Sequence, residues 1–420
     1  MSPRLRDDCF ALPSGVSWTP VDTALALLRD GLSCVAGIET VKATEAHGRV
    51  LARPAVAART NPPADNSAVD GYAFAWSAVE GQDEANLPLE PGRAAAGHPF
   101  PGSLPERHAV RILTGAAIPA GADTVVLQED AKVGAGRIRF LVPSKAGANA
   151  RGAGEDVRAG DIILSAGSRV GPAEIARLVS AGVTEVQARA RLRVAVMSTG
   201  DELVAPNTAP GPHGIMDTNR PMLSALIDAF GHELIDLGMQ PDRPEGIHAA
   251  LDRGAAEADA ILTTGGASAG DEDHISRLLR EDGSVTTWRI AVKPGRPLAL
   301  GLWQGTPVFG LPGNPVAALV TALIFARPAL GLLAGRGWVE PQGFTVPAAF
   351  EKSKKAGRRE YLRARLNADG AAEVFRSEGS GLIGGLSWAN GMVELPDEAI
   401  EITQDTPVRY LPYTSFGLGA

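Results

Sequence analysis

The sequence predicts an α/β chain with added β modules, divided into several domains. Three observations lead there. A length of 420 residues exceeds what one hydrophobic core usually serves. Between residues 191 and 337, helical periodicity alternates with short continuous apolar runs, the pattern of a three-layer domain whose mostly parallel sheet is covered on both faces. On either side, at 59–151 and 338–420, short alternating strands and turns dominate, in keeping with 49 Gly and 31 Pro. The expected division is an N-terminal domain from 1–58 and 152–190, a small β-domain inserted at 59–151, the α/β domain at 191–337 and a C-terminal β-domain at 338–420.

In chain order, Thr19-Pro20-Val21-Asp22 reads as a helix start, with a capping Thr, Pro at the first helical position and Asp facing the free N–H groups. That helix should run to about Asp30, and a second from Thr44 to Leu51, before Pro54. Asn61 to Tyr72 is a polar loop entering a strand at Tyr72 to Trp76; its Asp65, Asn66, Ser67 and Asp70 suit either turn chemistry or ligand contact. Thr114-Gly115 closes the strand Ala109 to Leu113, and its Thr is either a turn cap or a ligand hydroxyl. Gly152 to Asp156 forms another polar turn before the strand Asp161 to Leu164. A helix follows Gly171-Pro172 and ends at Gly182.

The α/β domain opens with the strand Arg193 to Ser198. There follow a helix at Asn219 to Phe230, a strand at His232 to Gly238, a helix at Glu245 to Glu257 and a strand at Asp259 to Thr263. Next come a helix at Asp273 to Arg280, strands at Thr286 to Ile290, Leu298 to Leu302 and Val308 to Leu311, and a helix at Val316 to Leu333. The last domain has strands near Phe344 to Phe350, Arg359 to Leu366, Ala372 to Arg376 and Pro407 to Leu411.

A formal net charge of −8 argues against a general nucleic-acid binder and requires any anionic ligand to meet a local basic cluster. Two cysteines, Cys9 and Cys34, are too few for a disulfide framework and fit a reducing cytoplasm. No apolar stretch is expected to approach a membrane span, and the N-terminus lacks a signal-peptide pattern.

The polar loops of the α/β domain fall at strand ends: Ser198 to Glu202, Thr264 to Asp273 and Leu311 to Pro315. Ligands of such sheets sit outside the carboxyl ends of the strands, so one common site is expected. Thr264-Gly265-Gly266 lets the backbone approach a phosphate, and the Thr264 and Ser268 hydroxyls are available to it. Asp201, Glu202, Asp242, Asp271 and Asp273 are candidate Mg²⁺ ligands, among which spacing does not choose. Lys293-Pro294-Gly295-Arg296-Pro297 is a stiffened basic turn suited to an oxyanion, with Arg289 upstream. A second basic cluster, Lys352 to Arg365, contains Arg358, Arg359 and Arg363 and is followed by Glu378-Gly379-Ser380-Gly381; such a charge run is either a solvated face or an anion site. His213 and His274 lack partners at metal-ligand spacing. HExxH, GxxxxGK[ST] and a serine-hydrolase order are missing, and Arg193 to Leu203 supplies no dinucleotide fingerprint.

Taken together, Asp65 to Tyr72, Thr114-Gly115, Ser198-Thr199-Gly200-Asp201-Glu202-Leu203, Thr264-Gly265-Gly266, Lys293 to Pro297 and Leu311-Pro312-Gly313-Asn314-Pro315 closely resemble the molybdopterin molybdenumtransferase family, that of MoeA and the gephyrin E-domain. The resemblance implies a homodimer of four-domain subunits with an elongated N-terminal linker domain and a β-barrel-like C-terminal domain. Its active cleft would lie between the α/β domain, the C-terminal domain and the partner's β-domain. The implied reaction is Mg²⁺-dependent hydrolysis of adenylylated molybdopterin with release of AMP and insertion of molybdate, giving molybdenum cofactor. By position, Asp65, Thr114, Asp156, Glu202 and Asp273 match catalytic residues. Glu202, Asp242 and Asp273 match the metal site. Thr264, Gly265, Gly266, Ser268, Lys293, Arg296, Pro312, Arg358 and Ser380 match substrate and oxyanion contacts.

The resemblance also implies the molybdopterin adenylyltransferase and downstream cofactor-modifying or molybdoenzyme-maturation proteins as partners, with neither nucleic acid nor membrane. Two residues depart from the family: Ala317 replaces a usual Ser, and Arg289 stands where Lys is frequent. An adenylyltransferase would share only the α/β domain. A scaffold role would need a partner groove and no acidic residues.

Overall fold

The computed structural model describes residues 18–209, 211–265, 274–295, 297–377, 379 and 381–419. The chain packs as two compact units. Thr40–His47 and Arg53–Gln187 form one; the other described residues form the second.

In the larger unit, helix α1 (Val21–Gly31) starts one residue later than expected. Pro20 is extended and serves as the N-cap, because Thr19 is held in a parallel bridge to Ile290. The central sheet uses β1 (Arg193–Thr199), β2 (Glu233–Gln240) and β3 (Ala260–Thr264), with helices α2 (Asn219–Ala229) and α3 (Pro244–Glu257) as connections. Helix α4 (His274–Glu281), β4 (Ser284–Arg289), β5 (Val292–Lys293), β6 (Pro297–Trp303) and β7 (Thr306–Leu311) follow. The strand order is β2-β1-β3-β7-β6-β4. The first four strands are parallel, while β6 and β4 add antiparallel.

Both sheet faces are covered, as the continuous apolar runs of β1 and β3 required. Val194 and Val196 join Leu223 and Ile227 of α2 on one face. Ala195 and Met197 join Ile247 and Leu251 of α3 and Ile275 and Leu279 of α4 on the other. Alternate residues of a strand point to opposite faces, so a strand buried on both sides has no polar position to give away.

The first face is closed by α5 (Pro315–Thr321), which continues through a π-helical turn at Ala322–Ala326 into α6 (Arg327–Leu333). Here one expectation needs correction. Pro315–Leu333 is 19 residues with mean hydropathy 2.0, long and apolar enough to cross a membrane. It is instead a core helix, 89% buried over that window, because sheet, α1 and the C-terminal strands enclose it. Its uniform hydrophobicity follows from burial all round.

The C-terminal sheet contains β8 (Phe344–Pro347), β10 (Arg359–Leu366), β11 (Gly391–Leu395) and β12 (Pro407–Pro412), and a short β9 (Lys352–Lys354) pairs separately with Ile400–Ile402. Strand β5 leaves the α/β sequence to join this sheet, whose order is β5-β10-β11-β12-β8.

The smaller unit carries a six-stranded sheet from Gly71–Phe74, Glu84–Ala94, Ala109–Ile112, Thr124–Leu127, Ala131–Gly134 and Arg137–Leu141. It also holds the helix Pro172–Ser180. The helix expected at Thr44 to Leu51 is only a 3₁₀ turn at Ala43–Glu45. Gly48 takes a positive φ of 76° and Leu51 is drawn into a bridge with Ala188, which removes the helical continuation. Residues 1–58 and 152–190, grouped in the sequence reading, divide between the units: Val21, Ala24 and Leu28 of α1 pack with Leu330 and Leu333 of α6, whereas 152–187 lie in the smaller unit.

Leu323 is fully buried at the centre of the long helix. Leu323→Ala should therefore cost about 3 kcal/mol in urea unfolding followed by circular dichroism. A loss below about 1 kcal/mol would show that this helix is not the core of the unit.

Candidate functional site

The parallel strands end together. Gly200 to Glu202 follow β1, Pro241-Asp242 follow β2, Gly265 follows β3 and Pro312 to Asn314 follow β7. The strand order reverses at β1, with β2 on one side of it and β3 on the other, which is where an open α/β sheet forms its binding crevice.

What brings these loops close is the lack of a side chain at Gly265. Its φ is +88°, and a Cβ there would lie 2.3 Å from the Thr199 carbonyl oxygen. Gly313 approaches from the other side, its own Cβ position only 3.5 Å from Gly265 Cα. Asn219, at the start of α2, fixes the spacing: its Nδ2 donates to Thr264 Oγ1 at 2.6 Å and to the Gly313 carbonyl at 2.7 Å. Thr264 Oγ1 in turn donates to the Pro312 carbonyl at 3.2 Å. The Thr264 hydroxyl, expected to face a ligand, is thus buried and engaged in joining two loops. Beneath it, the buried Asp217 carboxylate accepts from Ser198 Oγ and pairs with Arg220.

The acidic side of the crevice is formed by Asp201, Glu202 and Asp242. Asp201 Oδ1 accepts from the Asp242 backbone N–H at 3.0 Å. Gly200 leaves room for the Glu202 carboxylate, which a Cβ would meet at 2.7 Å. Burial, then the nearby Glu202 charge, pushes the Asp242 carboxyl above the usual aspartate range, and its Oδ1 is buried with no hydrogen-bond partner among the described residues. Such a carboxylate is relieved by a cation. Among the described residues no cluster of three or more His, Cys, Asp or Glu forms a ready metal cage. Mg²⁺ needs only one or two carboxylates besides phosphate and water, so Glu202 and Asp242 still fit it.

The basic side lies across the Leu311 to Pro315 loop. A Cβ at Gly295 would be 3.4 Å from Pro312 Cγ and 3.4 Å from Ala317 Cβ, so the Lys293-Pro294-Gly295 turn rests on the loop and the first turn of α5. Asn314 caps that helix by accepting from the Val316 and Ala317 N–H groups. Strand β5 then pairs with β10, setting Lys293 opposite Glu360. A cleft of about 230 Å³ opens here, lined by Lys293, Lys352, Arg363, Arg376 and Ser377 among others. Arg363 is buried and donates to the carbonyls of Leu382, Ser377 and Gly379, so it ties these three residues to β10. Arg358 is half-buried at the start of β10.

In the smaller unit, Asp65 and Asp156 border one segment. Asp65 Oδ1 accepts from the Ala153 N–H at 2.7 Å, and Asp156 Oδ2 accepts from Asn61 Nδ2 at 3.1 Å. Thr114 donates through both its N–H and its hydroxyl to Asp70 Oδ1, at 2.7 Å each, which holds the Asp70 carboxyl below its usual range. Gly266, Ser268, Asp271, Asp273, Arg296 and Ser380 lie outside the described residues. His274, expected to be structural or surface, has Arg277 Nη2 3.0 Å from its Nδ1.

Sequence reasoning missed Asn219, Asp217 and Glu360, and named Lys352 only as the edge of the second basic cluster. Asn219 had been read only as the start of a helix; its signal was a polar Asp217-Thr218-Asn219 step ahead of an apolar stripe.

Comparison with known proteins follows this geometry. Residues 19–182 match the MoeA N-terminal region (domain I and II), 195–331 a probable molybdopterin binding domain, and 345–413 the MoeA C-terminal region (domain IV). The chain is 35% identical over 399 residues to a molybdopterin molybdenumtransferase of Haemophilus influenzae, covering 94% of this chain and 98% of that one. It is 34% identical to one of Nostoc sp., covering 89% of each. A crystal structure of a molybdopterin biosynthesis MoeA protein from Pyrococcus horikoshii matches with TM-score 0.83 at 28% identity, covering 94% of this chain and all of that one.

The close approach at Gly265 makes a contrast measurable. Gly265→Ala should lower stability by about 2 kcal/mol or more, from a positive φ and a backbone collision, whereas Gly313→Ala should cost about 0.5 kcal/mol or less. Equal losses in urea unfolding would show that the loops do not meet through Gly265.

Proposed function

The chain belongs to the MoeA family of molybdopterin molybdenumtransferases, and on that premise we propose that it releases AMP from adenylylated molybdopterin and inserts molybdate, giving molybdenum cofactor. It is a transferase of molybdenum cofactor biosynthesis. The observation that carries the finer reading is the Pro312 to Asn314 loop, which touches the acidic crevice through Gly265 and Thr264 and the basic turn through Gly295. One crevice thereby offers a carboxylate side suited to a cation on a phosphoanhydride and a cationic side suited to an oxyanion.

Within this reading, the strand-end backbone seats the pyrophosphate, close to Gly265 where no side chain intervenes. Glu202 and Asp242, with Asp273, hold Mg²⁺, which when bound supplies charge stabilisation to the leaving phosphate. Lys293 and Arg358 hold molybdate, joined by Arg296 and Ser380, with Arg363 anchoring the neighbouring Ser377 and Gly379 carbonyls. The reaction then depends on bringing two anions together, which needs cations on one and a dry, fixed cradle for the other. We extend the reading to a cytoplasmic homodimer in which Asp65, Thr114 and Asp156 serve the same chemistry.

Purified protein incubated with adenylylated molybdopterin, Mg²⁺ and molybdate should yield AMP and active cofactor together. Asp242→Asn and Glu202→Gln should lower AMP release by about a hundredfold while retaining the melting temperature. Unchanged AMP release in both variants would remove the carboxylates from the mechanism; no AMP from the wild-type protein would end the assignment. Ala317→Ser, which restores a hydroxyl beside Gly295, should lower the molybdate KM several-fold with kcat little changed.

A further inference from the structure

Glu360 is a carboxylate held from two sides by lysines of the basic cleft. It lies on β10, 8% exposed, directly opposite Lys293 in the parallel pairing of β5 with β10. Lys293 Nζ approaches its Oε1 at 3.4 Å, and Lys352 Nζ, from β9, approaches its Oε2 at 3.1 Å. Both lysines line the 230 Å³ cleft. The two cations come from different parts of the unit, one from the stiff Lys-Pro-Gly turn and one from the C-terminal β-domain, and Glu360 is what they share.

A buried negative charge between two binding cations has a cost for any anion that enters. It repels the ligand and satisfies part of each lysine's field before the ligand arrives. A site built only to bind an oxyanion tightly would have an uncharged acceptor there. A site that must release the oxyanion to a second reactant gains from moderation, because binding that is equally strong before and during reaction lowers KM without raising kcat.

We propose that Glu360 is a charge-setting positioning residue, a shared counter-ion that spaces Lys293 and Lys352 and limits how tightly the cleft holds its oxyanion. This rests on the reading of the cleft as the molybdate site. Lys352 becomes a binding residue of that cleft, and Glu360 acts through the two lysines without touching the ligand.

The test is titration calorimetry of the full chain with molybdate and, separately, sulfate at low ionic strength. Glu360→Gln keeps the shape of the side chain and removes its charge, and it should tighten oxyanion binding about fivefold, with a steeper loss on adding salt. Lys352→Gln should weaken binding by about the same factor, and the double variant should return to the wild-type constant. In turnover, Glu360→Gln should lower the molybdate KM without raising kcat.

A residue that only props up the lysines would give the opposite sign: weaker binding in Glu360→Gln, and a double variant no better than Lys352→Gln. Either result overturns the proposal. If Glu360→Gln alone fails to fold by thermal melting, the comparison of Lys352→Gln with the uncharged double variant decides the matter by the same sign. Should the wild-type protein bind sulfate and not molybdate, the transferase reading fails while the order of the variants in sulfate still judges Glu360. Binding of neither anion overturns both.

Discussion

Everything at the proposed site depends on how near the Gly265 backbone comes to Thr199 and Gly313. A separation of 2.3 Å between a virtual Cβ and the Thr199 carbonyl leaves no alternative residue at 265 without movement of a strand. Strand β3, which leads into Gly265, is bonded to β1 and β7 along its length, so neither flanking strand yields cheaply. Asn219 converts this proximity into a fixed distance by bonding both sides at once. The consequence is a crevice set by backbone. Its shape is inherited from the sheet, whereas its charge is added by side chains on the loops.

Those charges are segregated by the same geometry. Carboxylates ride on the loops after β1 and β2, and Lys293 stands at the end of β5 where the Pro294-Gly295 turn begins, with the Pro312 to Pro315 segment between them. Had the carboxylates stood beside the lysines, neutralising pairs would have formed and neither an anhydride-bound cation nor an oxyanion would find an open charge. Asp242 shows the segregation directly, since its carboxyl is raised by burial and by the neighbouring Glu202. Signs mix at the basic cleft, where Glu351 is among the lining residues and Glu360 is paired with both Lys293 and Lys352.

The α/β domain was legible because its strands are buried on both faces and so read as short apolar runs such as Val194 to Met197. The loops at their ends were legible because glycine, carboxylate and proline clusters interrupt those runs. Long-range partnership was not. Thr264 looked like a ligand hydroxyl because nothing local says that Asn219, 45 residues upstream, engages it. Glu360 looked like part of a solvated charge run because its partners lie at positions 293 and 352, on other strands. The helix at 315–333 was legible as a helix, but burial all round, the cause of its apolar composition, is a property of what packs against it. At Thr44 to Leu51 the local pattern favoured a helix and tertiary pairing of Leu51 with Ala188 prevailed.

Strand β10 carries the coupling between stability and site one step further. Successive residues of a strand face opposite ways. Glu360 turns toward the lysines of the cleft, and its neighbour Arg359 turns the other way, bonding both oxygens of Asp22 on α1 at 2.7 and 2.8 Å and reaching Asp397 at 3.1 Å. The hydrogen bonds between them raise the already high pKa of Arg359 and lower that of Asp22, so each favours the charged form of the other. Asp22 is largely exposed, and its contribution to stability is accordingly screened. What the pair supplies is registration: α1 and the C-terminal sheet are fixed to the residue next to the one that sets the cleft's charge. A shift of β10 by one residue would exchange the two faces, putting an arginine among the lysines and a glutamate against Asp22, so the ion pairs on either face oppose the same error.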